Sequence, residues 1–247
     1  MPLALVTGAS RGFGRALAHA LAADGWDLVV DARHPVDLNA AFPRRAGTGS
    51  GTSTSTSTST TTTIPGDVTD PLHREVLANA VGDRQLDLLV NNASRLGPSP
   101  QPELADYPLD ELRGVYETNV VAPLALTQLL LPALHRSTSA TVVNVTSDAS
   151  VEPYAGWGGY GSSKAALDQL TAILADEQRS AHPDLRIYAF DPGDMRTDMH
   201  QAAFPGEDIS DRPAPETVVP ALLHLLRTRP PSGRVRAADL LAPIGAC

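Results

Sequence analysis

The sequence predicts an α/β fold in which one doubly wound parallel sheet carries helices on both faces. Short apolar runs without polar alternation recur along the chain, and such runs are typical of parallel strands buried on both faces. Longer segments with helical periodicity separate these runs, as βαβ units require. Right-handed crossovers between successive strands then wind the sheet in both directions from its centre.

The N-terminal segment supplies the first βαβ unit. Leu3–Val6 is an apolar run that predicts the first strand. The apolar positions over 13–21 fall on one face of a helix, and Gly25 is placed to end that helix as the residue after its C-cap. The apolar run 28–30 predicts the second strand.

The third strand falls at the end of a low-complexity tract. Residues 48–63 contain only Thr, Ser and Gly, a composition typical of flexible loops and linkers. Threonine is β-branched and favours strands, so we expect 60–64 to form a short strand. The front of the tract is then a mobile surface loop inserted between the second and third strands; disorder of the whole tract is the alternative.

The remaining elements follow at regular intervals and use nearly the whole length. We therefore expect one domain over residues 1–247, with about seven strands. Further strand candidates are 86–90, 140–145 and 185–190, and further helical patterns lie near 71–81, 109–135, 158–179 and 215–227.

Two of these helical patterns carry local signals. Asp70 is a good N-cap residue, and Pro71 suits the first helical position. Pro123 lies inside the 109–135 pattern. A proline there removes a backbone donor, so we expect a kink or a disturbed hydrogen-bond ladder.

Composition excludes several classes of function. The chain has 19 basic and 28 acidic residues and a net charge of −9, which argues against nucleic acid and anionic membranes as main partners. No apolar run reaches the ~20 residues of a membrane span. The start lacks a basic signal region, and the single cysteine, Cys247, fits a reducing compartment, so we expect a cytoplasmic protein. The seven histidines show no ligand spacing, so no metal is expected.

A glycine-rich turn joins the first strand to the first helix. Gly8 can supply the tight turn, Gly12 a close backbone approach to a pyrophosphate, and Gly14 close packing of helix on strand. Three glycines alone are a weak signal, because a loop can need them only for its backbone. Their position between a strand and an amphipathic helix favours dinucleotide binding.

The segment TGASRGFG at 7–14 resembles the turn of the short-chain dehydrogenase/reductase family, single-domain branch. Four further segments carry the resemblance in the family's order. They are Gly-Asp-Val at 66–68, Asn-Asn-Ala-Ser at 91–94, Tyr-Gly-Ser-Ser-Lys at 160–164 and Pro-Gly at 192–193. The resemblance implies a Rossmann fold and a nicotinamide-dependent oxidoreductase.

Tyr160 and Lys164 are four residues apart on a predicted helix, so their side chains share one face. A lysine cation stabilises tyrosinate, which brings the phenol closer to working pH. Without context this pair is usually a solvated helix face. The resemblance makes both residues catalytic and adds Ser147, which would hydrogen-bond the substrate oxygen. It also adds Asn119, which would hold a water in a proton relay or else be an ordinary helix asparagine.

The resemblance implies hydride transfer between a nicotinamide and a small-molecule carbonyl or secondary alcohol. In reduction, Tyr160 donates the proton, Ser147 orients the carbonyl and Lys164 also holds the nicotinamide ribose. An NAD-dependent alcohol dehydrogenase of the same fold is one alternative. A non-catalytic nucleotide-binding sensor or scaffold is another, although such a protein has no need of all three side chains.

NADP(H) is the expected cofactor, with NAD(H) possible. The position that selects NAD in this family corresponds to Ala32, and Asp31 comes one residue earlier, on the other side of the strand. Arg33 and Arg11 suit a 2′-phosphate by charge and geometry. A register error of one residue would instead make Asp31 the NAD-selecting acid.

Further contacts are implied by the resemblance or by position at the carboxyl ends of the strands. Asp67 and Val68 would touch the adenine, Asn91 would steady the sheet below the nicotinamide, and Thr197 would contact its carboxamide. The other expected cofactor contacts are Ser10, Phe13, Ala93, Pro192 and Gly193. With Ser147, the expected substrate contacts are Tyr154, Trp157 and Met195, beneath a lid at 194–214. A homodimer and a homotetramer both stay open.

Overall fold

The computed structural model of the chain describes residues 1–43 and 59–241. Within them, seven strands form one sheet in the order β3-β2-β1-β4-β5-β6-β7, and all neighbouring pairs are parallel. The doubly wound sheet predicted from the sequence is therefore confirmed. The strands are β1 (Leu3–Val6), β2 (Asp27–Ala32), β3 (Thr61–Pro65), β4 (Leu88–Asn91), β5 (Thr141–Val145), β6 (Arg186–Asp191) and β7 (Gly233–Arg236).

Helices cover both faces of this sheet. They are α1 (Gly12–Ala23), α2 (Pro35–Ala41), α3 (Pro71–Val81), α4 (Leu109–Tyr116), α5 (Ala122–Leu134), α6 (Gly158–Gln178), α7 (Asp198–Ala203), α8 (Pro215–Thr228) and α9 (Ala237–Leu241). A π-helical segment, Glu117–Val121, joins α4 to α5, and short 3-10 turns lie at Leu104–Asp106 and Asp148–Ser150. Among the described residues, no helix is long and apolar enough to cross a membrane.

The predicted helix ends are confirmed where the sequence carries a capping signal. Asp24 is the C-cap of α1, and Gly25 follows it with a φ of +83°, a conformation that glycine adopts without strain. The Asp70 side chain accepts a hydrogen bond from Leu72 N at the start of α3, and Pro71 is the first residue of that helix.

The single helix predicted over 109–135 is divided into three parts, as the proline suggested. Pro123 has no N–H to donate and is the second residue of α5, directly after the π-helical segment Glu117–Val121. The helical hydrogen-bond ladder is therefore disturbed on the N-terminal side of the proline. A hydrogen bond is lost there because proline has no N–H, and the proline ring crowds the preceding turn.

Strand β3 confirms that the end of the Thr/Ser tract pairs with the sheet. Thr61 lies opposite Leu28, and Pro65 lies opposite Ala32. A proline is tolerated at this position because β3 is an edge strand. The rest of the predicted surface loop, residues 48–58, lies outside the described residues.

Several short elements were not predicted from the sequence. Helices α2, α7 and α9 have seven residues or fewer, too few for a periodic pattern to stand out. Strand β7 (Gly-Arg-Val-Arg) is only half-buried at the sheet edge, and its arginines hide the apolar signal of a strand. Strand β4 begins at Leu88 rather than at residue 86.

The sheet is buried on both faces, which explains its apolar strands. Along β1, Ala4 and Val6 pack with α1 and α8, whereas Leu3 and Leu5 pack with α3 and α5. All strands point the same way, so their carboxyl ends meet along one edge, where ligands of such folds bind.

Candidate active site

A cavity of about 1070 Å³ opens at the carboxyl ends of the strands. Its walls come from the glycine-rich turn after β1, from the ends of β2, β4, β5 and β6, and from α6 and α7. Segments far apart in the sequence therefore meet at one site, as the spacing of the motifs predicted.

The glycine-rich turn lies against the segment after β4. A Cβ atom at Gly8 would lie 2.9 Å from Ala93 Cα, and one at Gly14 would overlap the Asn92 side chain. Gly12 differs, because it has a φ of +55° and faces the cavity, and a Cβ there would approach only Thr197 Cγ2, at 3.4 Å. This turn leaves an open cradle above its backbone, as a pyrophosphate requires.

Asp31 is held by the protein rather than offered to a ligand. Its Oδ1 accepts from Gly8 N at 2.9 Å, and its Oδ2 lies 3.1 Å from His73 Nε2. Burial raises the pKa of Asp31, while the hydrogen bonds from His73 and Gly8 oppose that rise. The carboxyl group therefore fixes the glycine-rich turn to β2 and α3, and each of its oxygens has one bond to the protein.

The two arginines predicted to bind the cofactor line the cavity. Arg33 is exposed and lines the cavity beside Asp67 and Val68. Arg11 Nη1 lies 3.2 Å from Asp198 Oδ2 and joins the glycine-rich turn to α7 across the cavity mouth. Both members of that pair are exposed, so the pair is weak and separable.

Ser147, Tyr160 and Lys164 line the cavity together. Ser147 follows the end of β5, and the other two are one helical turn apart on α6. Lys164 Nζ donates to Val145 O at 2.7 Å and lies 5.5 Å from the centroid of the Tyr160 ring. The predicted shared face is confirmed.

Burial is the largest influence on the protonation of Tyr160 and Lys164. Burial lowers the pKa of Lys164 to about 8, and the negative charge of Asp168 opposes this lowering. Burial raises the pKa of Tyr160, the charges of Asp191 and Asp148 add to that rise, and the side-chain hydroxyls of Ser94 and Ser147 oppose it. In the chain alone, burial therefore outweighs the other effects on the tyrosine pKa, and its lowering by the lysine stays a prediction.

Asn119 is buried in the π-helical segment and does not line the cavity. Its Oδ1 accepts from Ser94 Oγ at 3.1 Å and from Arg95 N at 2.8 Å. Its Nδ2 donates to Arg95 O and to Ser163 Oγ, both at 2.9 Å. All four hydrogen-bonding positions of the amide serve protein groups, so the side chain ties the segment after β4 to α6. The predicted water-holding role of the residue stays a prediction.

The wall beyond Tyr160 is aromatic. Trp157 lies between Tyr160, at 5.9 Å between ring centroids, and Phe204, at 5.7 Å. Tyr154 approaches the same indole edge-on at 6.2 Å. This arrangement suits a flat or apolar substrate group beside the candidate catalytic side chains.

The family assignment rests on most of the chain. A family profile described as short chain dehydrogenase matches residues 2–208. The chain belongs to the short-chain dehydrogenase family. Members of this family are oxidoreductases that use nicotinamide cofactors.

Several relatives of this short-chain dehydrogenase are named as reductases. Over 81% of this chain and 76% of the relative, it is 30% identical to a benzil reductase of Bacillus subtilis. It is 34% identical to sepiapterin reductase of Mus musculus over the same shares of the two chains. A Shigella flexneri short chain dehydrogenase complexed with NADP is 27% identical, with a TM-score of 0.81 over 96% of this chain and 97% of that one.

Most of the other predicted contact residues line the cavity, but Asn91 does not. Asn91 Nδ2 donates to Asn144 Oδ1 at 2.8 Å and to Thr127 Oγ1 at 3.2 Å. These bonds tie the central strands together below the cavity. The next residue, Asn92, lines the cavity. The predicted residues on the wall include Ser10, Phe13, Asp67, Val68, Ala93, Tyr154, Trp157, Pro192, Gly193, Met195 and Thr197.

Two further residues of this dehydrogenase were missed. Asp148 follows Ser147 directly, and its position next to a candidate catalytic residue was the available signal. Arg234 on β7 carries no signal of its role in the sequence, because its partners are distant in the chain. It bonds Asp168 Oδ2 at 3.2 Å, Asp191 Oδ2 at 2.8 Å and Ser147 O at 3.1 Å.

Proposed function

We propose that this short-chain dehydrogenase is an NADP(H)-dependent carbonyl reductase or alcohol dehydrogenase. The observation that carries the proposal is the meeting of Ser147, Tyr160 and Lys164 in one cavity with the glycine-rich turn. The turn that would bind a dinucleotide and the side chains that would transfer a proton therefore face the same cavity.

The residues present fit a nicotinamide dinucleotide. The open backbone at Gly12 and the start of α1 suit a pyrophosphate, and Asp67 and Val68 lie where an adenine would reach. Arg33, together with Arg11 once it leaves Asp198, suits a 2′-phosphate. The bonds of Asp31 to Gly8 and His73 argue against its use as an NAD-selecting acid.

The candidate catalytic side chains handle the proton. When bound, the nicotinamide supplies a hydride to the carbonyl carbon. Tyr160 gives its proton to the carbonyl oxygen, which becomes the hydroxyl of the product. Its raised pKa keeps the phenol protonated before the reaction, and the Lys164 charge lies close enough to stabilise the tyrosinate that forms. Ser147 orients the substrate oxygen at the end of β5.

Other expectations stay predictions at this stage. They are a small carbonyl or alcohol as substrate, contacts from Tyr154, Trp157 and Met195, a lid at 194–214, a homodimer or homotetramer, and a cytoplasmic location. The binding-only alternative predicts tight NADPH binding without turnover across a broad panel of carbonyl compounds.

The Tyr160→Phe variant tests the proposed chemistry. It removes the transferable proton but keeps the ring that packs on Trp157. We expect turnover to fall at least ~100-fold, the scale of general acid catalysis, while NADPH affinity stays within a factor of about two. NADPH oxidation and NADPH fluorescence titration measure the two quantities. Activity near that of the wild type would refute the assignment of Tyr160.

A further inference from the structure

Asp148 places a carboxylate at the reacting end of the cavity. It lines the cavity directly beside Ser147. Its Oδ1 accepts from Ser147 Oγ and from Ala149 N, both at 2.8 Å, and its Oδ2 accepts from Tyr154 Oη at 3.0 Å. The carboxylate therefore lies between a candidate catalytic hydroxyl and the aromatic wall.

The bond between Ser147 and Asp148 determines whether Ser147 can donate a hydrogen bond to a ligand. A serine hydroxyl has one proton, and a carboxylate only accepts, so the Ser147 proton is directed at Asp148. Ser147 Oγ also accepts from Ala149 N at 3.2 Å. What remains for a substrate is a lone pair, which a simple ketone oxygen cannot use because that oxygen is itself only an acceptor.

The carboxylate also keeps unused capacity. Two carboxylate oxygens accept about four hydrogen bonds, and Asp148 makes three to protein groups. Within the described part of the chain, it takes part in no salt bridge. The charges of Asp148, Glu152 and Asp194 all raise the pKa of Tyr154, so Asp148 lies in an acidic neighbourhood that favours hydrogen-bond donors.

We propose that Asp148 is a specificity-determining residue that selects carbonyl substrates with a hydroxyl or ammonium group on the carbon next to the carbonyl. This inference rests on the proposed carbonyl reduction at the same site. A donor on that carbon binds the free acceptor position of Asp148 and weakens its hold on the Ser147 proton, which then turns to the carbonyl oxygen. A ketone without such a donor leaves the proton on Asp148.

The distances allow this exchange. A carbonyl oxygen within ~3 Å of Ser147 Oγ lies at most ~6 Å from Asp148 Oδ1, since Oγ and Oδ1 are 2.8 Å apart. A group on the neighbouring carbon bridges that span with one hydrogen bond. The charge on the acceptor makes this bond stronger than one between neutral groups.

Three phenyl ketones test the proposal: the hydroxymethyl, aminomethyl and methoxymethyl compounds. They share the ring and the carbonyl, but the methoxy compound has no donor. Calorimetry with NADP⁺ bound gives their affinities for the wild type and for Asp148→Ala. We expect the wild type to prefer each donor compound about tenfold over the methoxy compound, the scale of one hydrogen bond to a charged group. In Asp148→Ala the ratio should fall to about one.

Glu152→Gln is the matched control, because it removes the same charge from an exposed neighbour without touching Ser147. It should keep the preference, and Asp148→Asn, which retains one acceptor and the side-chain size, should give an intermediate ratio. Equal ratios in the wild type and Asp148→Ala would overturn the proposal, as would an equal loss in Glu152→Gln. Affinity is measured without turnover, so a preserved ratio in a protein that reduces none of the ketones would refute the reductase function alone.

Discussion

At the scale of single residues, burial sets the chemistry of the candidate site. Lys164 is 2% exposed and Tyr160 is 9% exposed. Both charged forms lose solvation there, so the lysine releases its proton more easily and the tyrosine keeps its proton. The sequence could predict the pair and its shared face, but not this effect, because burial depends on α6 packing against β5 and the segment after β4.

The pH dependence of stability tests the burial of Lys164. The pKa of Lys164 is about 8 in the folded chain, against 10.5 for an unperturbed lysine. Between these values the unfolded chain binds more protons, so stability rises with pH. Urea unfolding at several pH values should show the wild type gaining about 2 kcal/mol relative to Lys164→Met between about pH 8 and pH 10. A difference that stays constant across this range would contradict the lowered pKa.

Arg33 carries the prediction of cofactor preference. It is exposed at the adenine end of the cavity, whereas Asp31 is bonded to Gly8 and His73. In Arg33→Ala we expect kcat/KM with NADPH to fall about tenfold, the scale of one charged hydrogen bond, while kcat/KM with NADH stays nearly unchanged. Steady-state kinetics with the two cofactors measure the ratio. An equal loss with both would show that Arg33 does not recognise the 2′-phosphate.

At the scale of elements, Arg234 connects the strand ends that form the site. From β7 it reaches Ser147 O after β5, Asp191 at the end of β6 and Asp168 on α6. The side chains of Asp168 and Asp191 are only 16% and 5% exposed. An arginine between two buried carboxylates holds these elements in a fixed relation, which positions Ser147 relative to α6.

Replacing this arginine should affect both folding and activity. Arg234→Met leaves two buried carboxylates unpaired, so we expect a loss of about 3 kcal/mol in the free energy of unfolding. We also expect a fall of about tenfold in kcat with little change in KM for NADPH, because Ser147 loses its support. Denaturant unfolding and steady-state kinetics measure these effects.

Arg236 supplies the matched control on the same strand. It is exposed and bonds Asp239 three residues along the chain, a pair that contributes little to stability. Arg236→Met should therefore change neither quantity appreciably. Similar losses in the two variants would contradict the role given to Arg234.

The sequence predicted those elements that depend on residues close together in the chain. The apolar runs, Asp70 with Pro71, and Pro123 all act within a few residues of themselves, and the structure confirms what they indicated. The partners of the Asn119 amide could not be predicted from the sequence, because they come from the segment after β4 and from α6. The same distance in sequence hid Arg234.

At the scale of the whole molecule, the cavity lies at one end of the strands and the described end of the Thr/Ser tract, residues 59 and 60, lies at the other. The tract enters β3 at its amino end, where Leu28 N donates to Thr60 O and Thr60 N donates to Asp27 Oδ1. The cavity lies at the carboxyl ends of the strands. Because all strands are parallel, their amino and carboxyl ends are separated by the length of the strands.

Shortening the tract should therefore leave the chemistry unchanged. Deletion of residues 49–57 is expected to keep kcat within a factor of about two, because long surface connections are tolerated. Steady-state kinetics and a thermal unfolding scan of the shortened chain measure this. A large loss of kcat in a folded protein would show that the tract does more than connect two elements.

The central claim is that one cavity transfers a hydride and the Tyr160 proton to a carbonyl group. Its most direct test is reduction with NADPH that carries deuterium at the transferable position, followed by mass spectrometry of the alcohol. We predict one deuterium on the carbinol carbon with the wild type, and no product from Tyr160→Phe despite its bound NADPH. An alcohol without deuterium, or an equal yield from Tyr160→Phe, would contradict the account.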